Sequence, residues 1–308
     1  MYLGIDVGSI STNLAVLDKN REIIKTVYIL TKGDPINAIK QGLKQLECIG
    51  DIKGVATTGS GRKLAGTIVG ADLIKNEITT HALASLDYKP DTKTVIEIGG
   101  QDSKIIIIRN GIVVDFAMNT LCAAGTGSFL DYQATRLGLS IHEFSQLALK
   151  STNPVTIAGR CTVFAESDMI HKAQVGYKIE DIIAGLCEAL VRNYLNNVAK
   201  GKDIQNPIMF QGGVAANLGI KKAFEKALNT DIIVPPYHNV MGAIGAALLL
   251  LEDEPKTTNF KGFEIIDANY TTSSFECKDC PNHCEIIEIN QNNQLIGRWG
   301  SRCKKWDY

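Results

Sequence analysis

Two short blocks of this chain, about ninety residues apart, share one pattern of apolar strand, glycine turn and apolar strand. The first block is GIDVGSIST, in which Asp6 ends a strand and Gly8 lies in the turn. The second is EIGGQDS, which starts at Glu97 and leads into a strand and an Asn110-Gly111 hairpin turn. Repetition of one strand–turn–strand unit predicts an internally duplicated α/β fold.

Length and charge set the domain organisation. The 308 residues, 45% of them hydrophobic, suffice for two lobes, 1–90 and 91–252, and a C-terminal tail, 253–308. A net charge of −1 gives no reason to expect nucleic acid or an anionic membrane as partner, and the longest apolar run is too short to span a bilayer. We expect a cytoplasmic protein, whose eight cysteines indicate metal or redox use rather than disulfides.

The glycine turns are candidates for binding a nucleotide. Backbone N–H groups of such turns can hold phosphate oxygens, and a carboxylate at a strand end can hold hydrated Mg²⁺. A double glycine after the strand PIMFQ also suits close approach of an adenosine. The candidate residues are Asp6, Gly8, Ser9, Ser11, Thr12, Gly99, Gly100, Gly212 and Gly213, with Glu97, Gln101 and Asp102 as alternatives for orienting water or magnesium.

Two cysteines lie in glycine-rich segments, Cys122 in CAAGTGSFLD and Cys161 in GRCTVFAESDMI. Each is expected just ahead of a helix, with Thr126 or Ser128 capping the first helix. The positive end of a helix dipole favours the thiolate, which binds metal or does redox chemistry. The alternative is an inert buried thiol, as we expect for Cys48 and Cys187.

The tail holds four more cysteines, Cys277, Cys280, Cys284 and Cys303. The segment between the last two is predicted to form a hairpin that returns Cys303 to the others, and four grouped cysteines indicate a metal. Zinc would make the tail structural or a docking module. A second [4Fe-4S] cluster, which we favour, would make it the entry point for electrons from ferredoxin or flavodoxin. His283 is a possible substitute ligand.

The motifs together resemble a known superfamily. GIDVGSIST, EIGGQDS, QGGVAAN and MGAIGAA are similar to the phosphate loops, adenosine loop and connecting helix of the acetate kinase, sugar kinase, heat-shock chaperone and actin ATPases. Their fold is a duplicated actin-like, ribonuclease H-like one. With the two cysteine motifs, residues 1 to 252 resemble the activator ATPases of 2-hydroxyacyl-CoA dehydratases and the ATPase subunits of benzoyl-CoA reductases. Short activators lack the tail.

This resemblance implies an ATPase that drives electron transfer in anaerobic metabolism. It implies a homodimer in which Cys122 and Cys161 of both chains bind one [4Fe-4S] cluster. Asp6 would hold Mg²⁺ of ATP or ADP through water, residues 8–12 and 99–101 would bind phosphates, and Gly212 and Gly213 would face the adenosine. Binding or hydrolysis of ATP would change the angle between the cysteine-led helices. One electron would then pass to a dehydratase, an aryl-CoA reductase or a double-cubane cluster protein.

Two other functions are compatible with the same fold. A small-molecule kinase would transfer phosphate to a sugar or acid, but it gives no reason for the settings of Cys122 and Cys161. A nucleotide-dependent regulatory module with a zinc knuckle would contain zinc and no iron.

Overall fold

The first glycine turn joins two antiparallel strands. The structure is a computed structural model that describes residues 1–119, 122–253, 255 and 257–307. Strand β1 (Tyr2–Val7) pairs with β2 (Ser11–Leu17), which pairs with β3 (Ile23–Leu30). Strand β4 (Gly54–Thr58) runs parallel to β1, and β5 (Leu73–Ile74) runs parallel to β4. The sheet order is therefore β3-β2-β1-β4-β5.

The second glycine turn builds a sheet of the same design. Strands β6 (Thr94–Ile98), β7 (Ser103–Arg109) and β8 (Ile112–Asn119) form an antiparallel meander, and β9 (Ile208–Gln211) runs parallel to β6. The order β8-β7-β6-β9 repeats β3-β2-β1-β4. The duplicated α/β fold predicted from the two sequence blocks is thus present in the structure.

Helices follow the strands in both halves of the chain. Their bounds are α1 (Pro35–Lys44), α2 (Arg62–Val69), α3 (Glu77–Tyr88), α4 (Gly127–Arg136), α5 (Ile141–Lys150), α6 (Thr162–Gln174), α7 (Ile179–Asn197), α8 (Leu218–Leu228) and α9 (Met241–Asp253). Local sequence signals explain where several of these helices begin or end. The Asp34 side chain caps α1 by accepting from the N–H of Asn37, and Gly70 ends α2 in the left-handed conformation.

The chain divides into two units that do not follow the predicted boundaries. Unit 1 comprises Met1–Thr80 and Gly242–Tyr308, and unit 2 comprises His81–Met241. Helix α9 therefore belongs with the N-terminal sheet rather than with the second lobe. The reason is close packing, because a Cβ on Gly4 of β1 would lie 1.8 Å from the carbonyl oxygen of Ala243.

The tail is part of unit 1 and not a separate appendage. It forms a sheet of order β10-β11-β12 from Tyr270–Glu276, Glu285–Gln291 and Gln294–Trp299, and β11 and β12 make the predicted hairpin. Ile265 and Ile289 are buried in the same apolar cluster as β1 and α1. The N–H of Lys261 also donates to the carbonyl of Val69 at the end of α2, 3.0 Å away.

Helix α7 is the centre of unit 2. Its buried residues, among them Leu186, Leu190 and Tyr194, belong to one apolar cluster with Ile105 and Ile107 of β7. The Tyr194 hydroxyl donates to the carbonyl of Lys104 at 2.7 Å, which ties the helix to the sheet. Helix α7 therefore lies in the core of unit 2 from Ile179 to Asn197.

Candidate functional site

In unit 1 the first glycine turn is tight. The N–H of Gly8 donates to the carbonyl of Ser11 at 2.9 Å, and Ser9 is exposed. The hydroxyl of Thr12 is fully buried and lies 3.0 Å from that of Thr31, which itself donates to the carbonyl of Gly8. The Thr12 side chain therefore braces the turn, while Gly8, Ser9 and Ser11 remain at least partly accessible.

Asp6 lies at the end of β1, half-buried beside a second glycine loop. Gly59 has φ +91°, and a Cβ there would lie 2.5 Å from Asp6 Oδ1 and 2.4 Å from the Val7 carbonyl oxygen. Only glycine fits this position, because the space and the backbone conformation both exclude a side chain. Sequence reasoning missed Gly59, although the Gly-Ser-Gly sequence after β4 is a signal for it.

In unit 2 the second glycine turn carries a buried ion cluster. Lys104 is 2% exposed, and its Nζ lies 2.9 Å from Glu97 Oε2 and 2.9 Å from Asp102 Oδ2. Both predicted carboxylates thus share one ammonium, whereas Gln101 is exposed. Lys104 was not among the predicted site residues. A lysine that opens an otherwise apolar strand, SKIIII, is the signal that could have identified it.

The double-glycine turn packs against the same strand end. Gly212 has φ +87°, and a Cβ there would lie 2.3 Å from the Ile98 carbonyl oxygen and 2.8 Å from Glu97 Oε1. Its N–H donates to the carbonyl of His238 at 2.8 Å. Gly212 is buried, whereas Gly213 is exposed. Of the two glycines predicted to face an adenosine, Gly213 is the accessible one.

Cys122 is half-buried and lies ahead of helix α4 as predicted, with a short turn between them. Residues Ala123–Gly125 form a 3₁₀ turn, and α4 begins only at Gly127. The prediction that Thr126 or Ser128 caps α4 is wrong, since the Thr126 hydroxyl donates to the carbonyl of Ala123 and no side chain caps the helix. The Asn119 side chain holds the backbone of Cys122 through two hydrogen bonds. Its Oδ1 accepts from the cysteine N–H at 3.0 Å, and its Nδ2 donates to the cysteine carbonyl at 2.8 Å.

Cys161 matches the expected setting more closely. It is the half-buried N-cap residue of α6, which starts at Thr162, so the helix predicted behind this cysteine is present. The two cysteine segments also share a support. Asn193 of α7 donates through Nδ2 to the carbonyl of Gly159. Its Oδ1 lies beside Gly125, because a Cβ on that glycine would be 3.1 Å from this oxygen. Both segments therefore pack on α7.

The tail cysteines are close in the chain but differ in exposure. The N–H of Cys277 donates to the carbonyl of Cys284 at 2.8 Å, and its buried sulfur accepts from Nε1 of Trp306 at 3.2 Å. Cys280 and Cys303 are exposed. Across residues 1–119, 122–253, 255 and 257–307, no three Cys, His, Asp or Glu side chains are grouped as metal ligands.

The other histidine and charge contacts of the tail are local. His283 Nδ1 lies 2.8 Å from Glu276 Oε1, on the exposed side of the hairpin. Lys305 donates to Asp279 at 2.6 Å, and this hydrogen bond holds the pKa of the Asp279 carboxyl below its usual range. In the part of the chain that the structure describes, no helix has the length and apolar character needed to cross a membrane.

The fold and the paired glycine turns are those of actin-like ATPases. Residues 3–249 match the BadF/BadG/BcrA/BcrD ATPase family, and the chain belongs to that family. It is 37% identical over 250 residues to the (R)-2-hydroxyglutaryl-CoA dehydratase activating ATPase of Acidaminococcus fermentans, covering 80% of this chain and 95% of that protein.

Solved structures agree with this membership. The activator of the 2-hydroxyisocaproyl-CoA dehydratase from Clostridium difficile, with bound ADPNP, aligns with a TM-score of 0.76 and 35% identity over 82% of this chain and 95% of that one. A ROK family glucokinase from Streptomyces griseus aligns with a TM-score of 0.51 at 13% identity over 80% of this chain and 98% of that one, and this likeness concerns the fold alone. The predicted actin-like ATPase fold and family are confirmed.

Proposed function

We propose that this chain is an ATP-dependent activator that passes a low-potential electron to a second enzyme. Two copies share one [4Fe-4S] cluster, held by Cys122 and Cys161 of each copy. The electron acceptor is a 2-hydroxyacyl-CoA dehydratase or another protein with a low-potential cluster, and ferredoxin or flavodoxin is the donor. Family membership supports this proposal, as do relatives whose names describe activators of such dehydratases.

The observation that carries the proposal is the pair of half-buried thiols supported by one helix, α7. A [4Fe-4S] cluster takes four thiolates, and a two-fold axis supplies four from two per chain. When bound, the cluster supplies one-electron redox chemistry. The chain's own part is to present two sulfurs, that of Cys161 at the start of α6 and that of Cys122 in a backbone segment held by the Asn119 side chain.

Each unit supplies its own contacts to the nucleotide. In unit 1, Asp6 would hold Mg²⁺, and the turn from Gly8 to Thr12 would offer backbone N–H groups to phosphate, other than that of Gly8, which donates to Ser11. In unit 2, the segment Gly99–Gln101 binds phosphate through the N–H groups of Gly100 and Gln101, since the N–H of Gly99 donates to the Asp102 carbonyl at 3.0 Å. Gly213 faces the adenosine. These assignments are supported by the accessibility of the first turn and of Gly213.

Lys104 narrows the choice of the residue that orients the attacking water. Glu97 and Asp102 both accept from its ammonium, so these carboxylates fix the turn and keep their charge compensated. Gln101 is exposed beside them. We assign the orientation of water to Gln101, with the Glu97–Lys104–Asp102 cluster holding that residue in position.

In the tail we propose that Cys277, Cys280, Cys284 and Cys303 bind a second [4Fe-4S] cluster or Zn²⁺. The donor chemistry suits either metal centre. The hydrogen bond between Cys277 and Cys284 closes the connection between β10 and β11, which carries three of the four sulfurs. Binding of a metal by all four sulfurs would require the exposed side chains of Cys280 and Cys303 to turn toward Cys277. The Trp306 N–H then donates to a ligand sulfur, a contact that tunes such centres.

The proposal is tested by metal content after purification without oxygen. A cluster shared by two chains gives about two irons per chain, and a second cluster in the tail raises this to about six. Two irons with one zinc per chain assign the tail to zinc. Absence of iron and acid-labile sulfide, also after reconstitution, would contradict electron transfer.

Cysteine variants separate the two centres. Cys122→Ala or Cys161→Ala should remove about two irons per chain and abolish reduction of the partner, with the Kd for MgATP unchanged. Cys48→Ala is the matched control, since Cys48 is an exposed free thiol of unit 1 and not the buried thiol that its sequence predicted. If both ligand variants retain the shared cluster, the assignment of its ligands is wrong.

A further inference from the structure

The start of α4 is fastened to the second glycine turn. The N–H of Gly127 donates to the carbonyl of Gly99 at 2.9 Å, and the N–H of Ser128 donates to the carbonyl of Gly100 at 2.9 Å. The Ser128 hydroxyl donates to the same Gly100 carbonyl at 2.6 Å. Three hydrogen bonds therefore join the helix that follows Cys122 to the turn assigned above to phosphate.

These bonds replace the usual cap of the helix. The first N–H groups of an α-helix lack partners within the helix, and a side chain of the N-cap residue commonly satisfies one. Here the hydroxyl of the N-cap residue Thr126 donates to the carbonyl of Ala123, so it does not cap the helix. The carbonyls of the glycine turn accept from the first helical N–H groups in its place. Helix α4 thus depends on the conformation of that turn.

The contact also leaves little room for independent movement. A Cβ on Gly127 would lie 3.0 Å from a methyl of Val214, 3.1 Å from the Gly99 carbonyl oxygen and 3.5 Å from the Cα of Gly100. Val214 lies in the segment that follows the double glycine. The helix start is therefore enclosed by both turns of unit 2 to which nucleotide contacts are assigned.

Peptide geometry connects phosphate binding to this contact. The carbonyl of Gly99 and the N–H of Gly100 belong to one planar peptide unit, as do the carbonyl of Gly100 and the N–H of Gln101. In a trans peptide the N–H and C=O point in opposite directions. A phosphate that pulls on these N–H groups therefore rotates the same carbonyls that hold Gly127 and Ser128.

The segment of Cys161 is anchored differently. The N–H of Ala158 donates to Asp168 Oδ2 of α6 itself at 2.8 Å, and the carbonyl of Gly159 accepts from Asn193 of α7. Its contacts are thus to α6 and α7, whereas α4 is held by the glycine turn.

We propose that Ser128 is a positioning residue that transmits the state of the phosphate turn to the Cys122 segment. The inference rests on the proposed binding of phosphate by Gly99–Gln101. Nucleotide binding moves the first turn of α4 through Ser128 and changes the exposure of Cys122, while Cys161 keeps its setting. The two cysteines of one chain therefore respond unequally to the nucleotide.

The test measures alkylation of the full-length, cluster-free protein without oxygen. Rates of modification of Cys122, Cys161 and Cys48 by iodoacetamide are followed by peptide mass spectrometry, with and without a non-hydrolysable MgATP analogue. We expect the analogue to change the Cys122 rate by about 3- to 10-fold, the factor that one hydrogen bond to a carbonyl represents. The rates of Cys161 and Cys48 should change less than about twofold.

Substitutions at Ser128 test the role of its hydroxyl. Ser128→Ala should bind the analogue with unchanged Kd but show a smaller nucleotide-dependent change at Cys122, because one of the three hydrogen bonds to the turn is lost. Ser128→Thr should restore the full change. The matched control is Ser167→Ala in α6, which removes a hydroxyl bonded only within its own helix, to the carbonyl of Val163. If Ser128→Ala keeps the full response, Ser128 does not transmit the signal.

Two further outcomes separate this inference from the proposed function. If the wild type binds no nucleotide, the proposed function itself fails. If it binds the analogue and Cys122 does not respond, the transmission is refuted while nucleotide binding stands. Hydrogen exchange of the wild-type amides of Gly127 and Ser128 covers the case in which Ser128→Ala does not fold. Unchanged exchange of these amides upon binding would also refute the inference.

Discussion

Replacing Lys104 with Met should destabilise the protein more than any other single change at the second glycine turn. The Lys104 ammonium contacts Glu97, whose side chain is 6% exposed, and Asp102, whose side chain is 33% exposed. Removing one partner of a buried ion pair costs about 3–5 kcal/mol, because the other charge is left without compensation. Asp102 adds less, about 1 kcal/mol at most, since water reaches it. Met keeps most of the side-chain volume, so no cavity contributes.

The charge explanation makes a specific prediction for the double variant. Lys104→Met with Glu97→Gln buries no uncompensated charge at Glu97, so it should recover about half of the stability that Lys104→Met loses. A simple packing defect would give the opposite result, because two substitutions in the same contact would cost more than one. Asp102→Asn is the matched control for the exposed arm of the cluster and should cost about 1 kcal/mol or less.

The measurement is urea unfolding followed by far-UV circular dichroism at pH 7, with all four proteins compared under identical conditions. A change in the midpoint with an unchanged slope reports stability rather than a change in the unfolded state. A cost below about 1 kcal/mol for Lys104→Met, or a double variant less stable than the single one, would refute the role of Lys104 as a buried counter-ion.

Two further predictions concern other buried positions. Gly4→Ala should destabilise unit 1 by about 3 kcal/mol, because the new methyl would lie 1.8 Å from the Ala243 carbonyl oxygen and α9 would have to move. Gly54→Ala, whose Cβ meets only side chains at 3.2 Å or more, is its control in the same urea experiment, and equal costs would contradict the packing argument. Burial raises the pKa of the Cys187 thiol from 9.0 to about 12, so the folded state keeps the proton longer and stability falls as pH rises above 9. Urea midpoints at pH 7 and 10 should show this loss, about 1 kcal/mol at pH 10, in the wild type and less of it in Cys187→Ala; identical pH dependence would exclude the contribution.

Much of the fold was predictable because its signals are local. The alternation of apolar strands with glycine turns predicted the strand–turn–strand units from which both sheets are built. The hairpin predicted between Cys284 and Cys303 is formed by β11 and β12. In each case a few neighbouring residues contain the whole signal, so no distant contact is needed to read it.

The sites were predictable only in part. The sequence identified Glu97, Asp102 and the cysteine segments as candidates, but it did not reveal that Lys104 joins the two carboxylates. It also predicted a helix behind Cys122, but not that the carbonyls of the second glycine turn accept from the first N–H groups of that helix. Both features depend on which carbonyls and charges meet after the sheet has formed.

By itself, the sequence determined the repeated strand–turn–strand units, the conformations open to the glycine turns and the spacing of the thiols. Tertiary structure alone decided that α9 and the tail pack with the N-terminal sheet, that Lys104 compensates two carboxylates, and that Gly99 and Gly100 hold the start of α4. The physical reason is that backbone conformation and hydrophobic periodicity act between chain neighbours. Burial, charge compensation and helix capping depend instead on groups that only folding brings together.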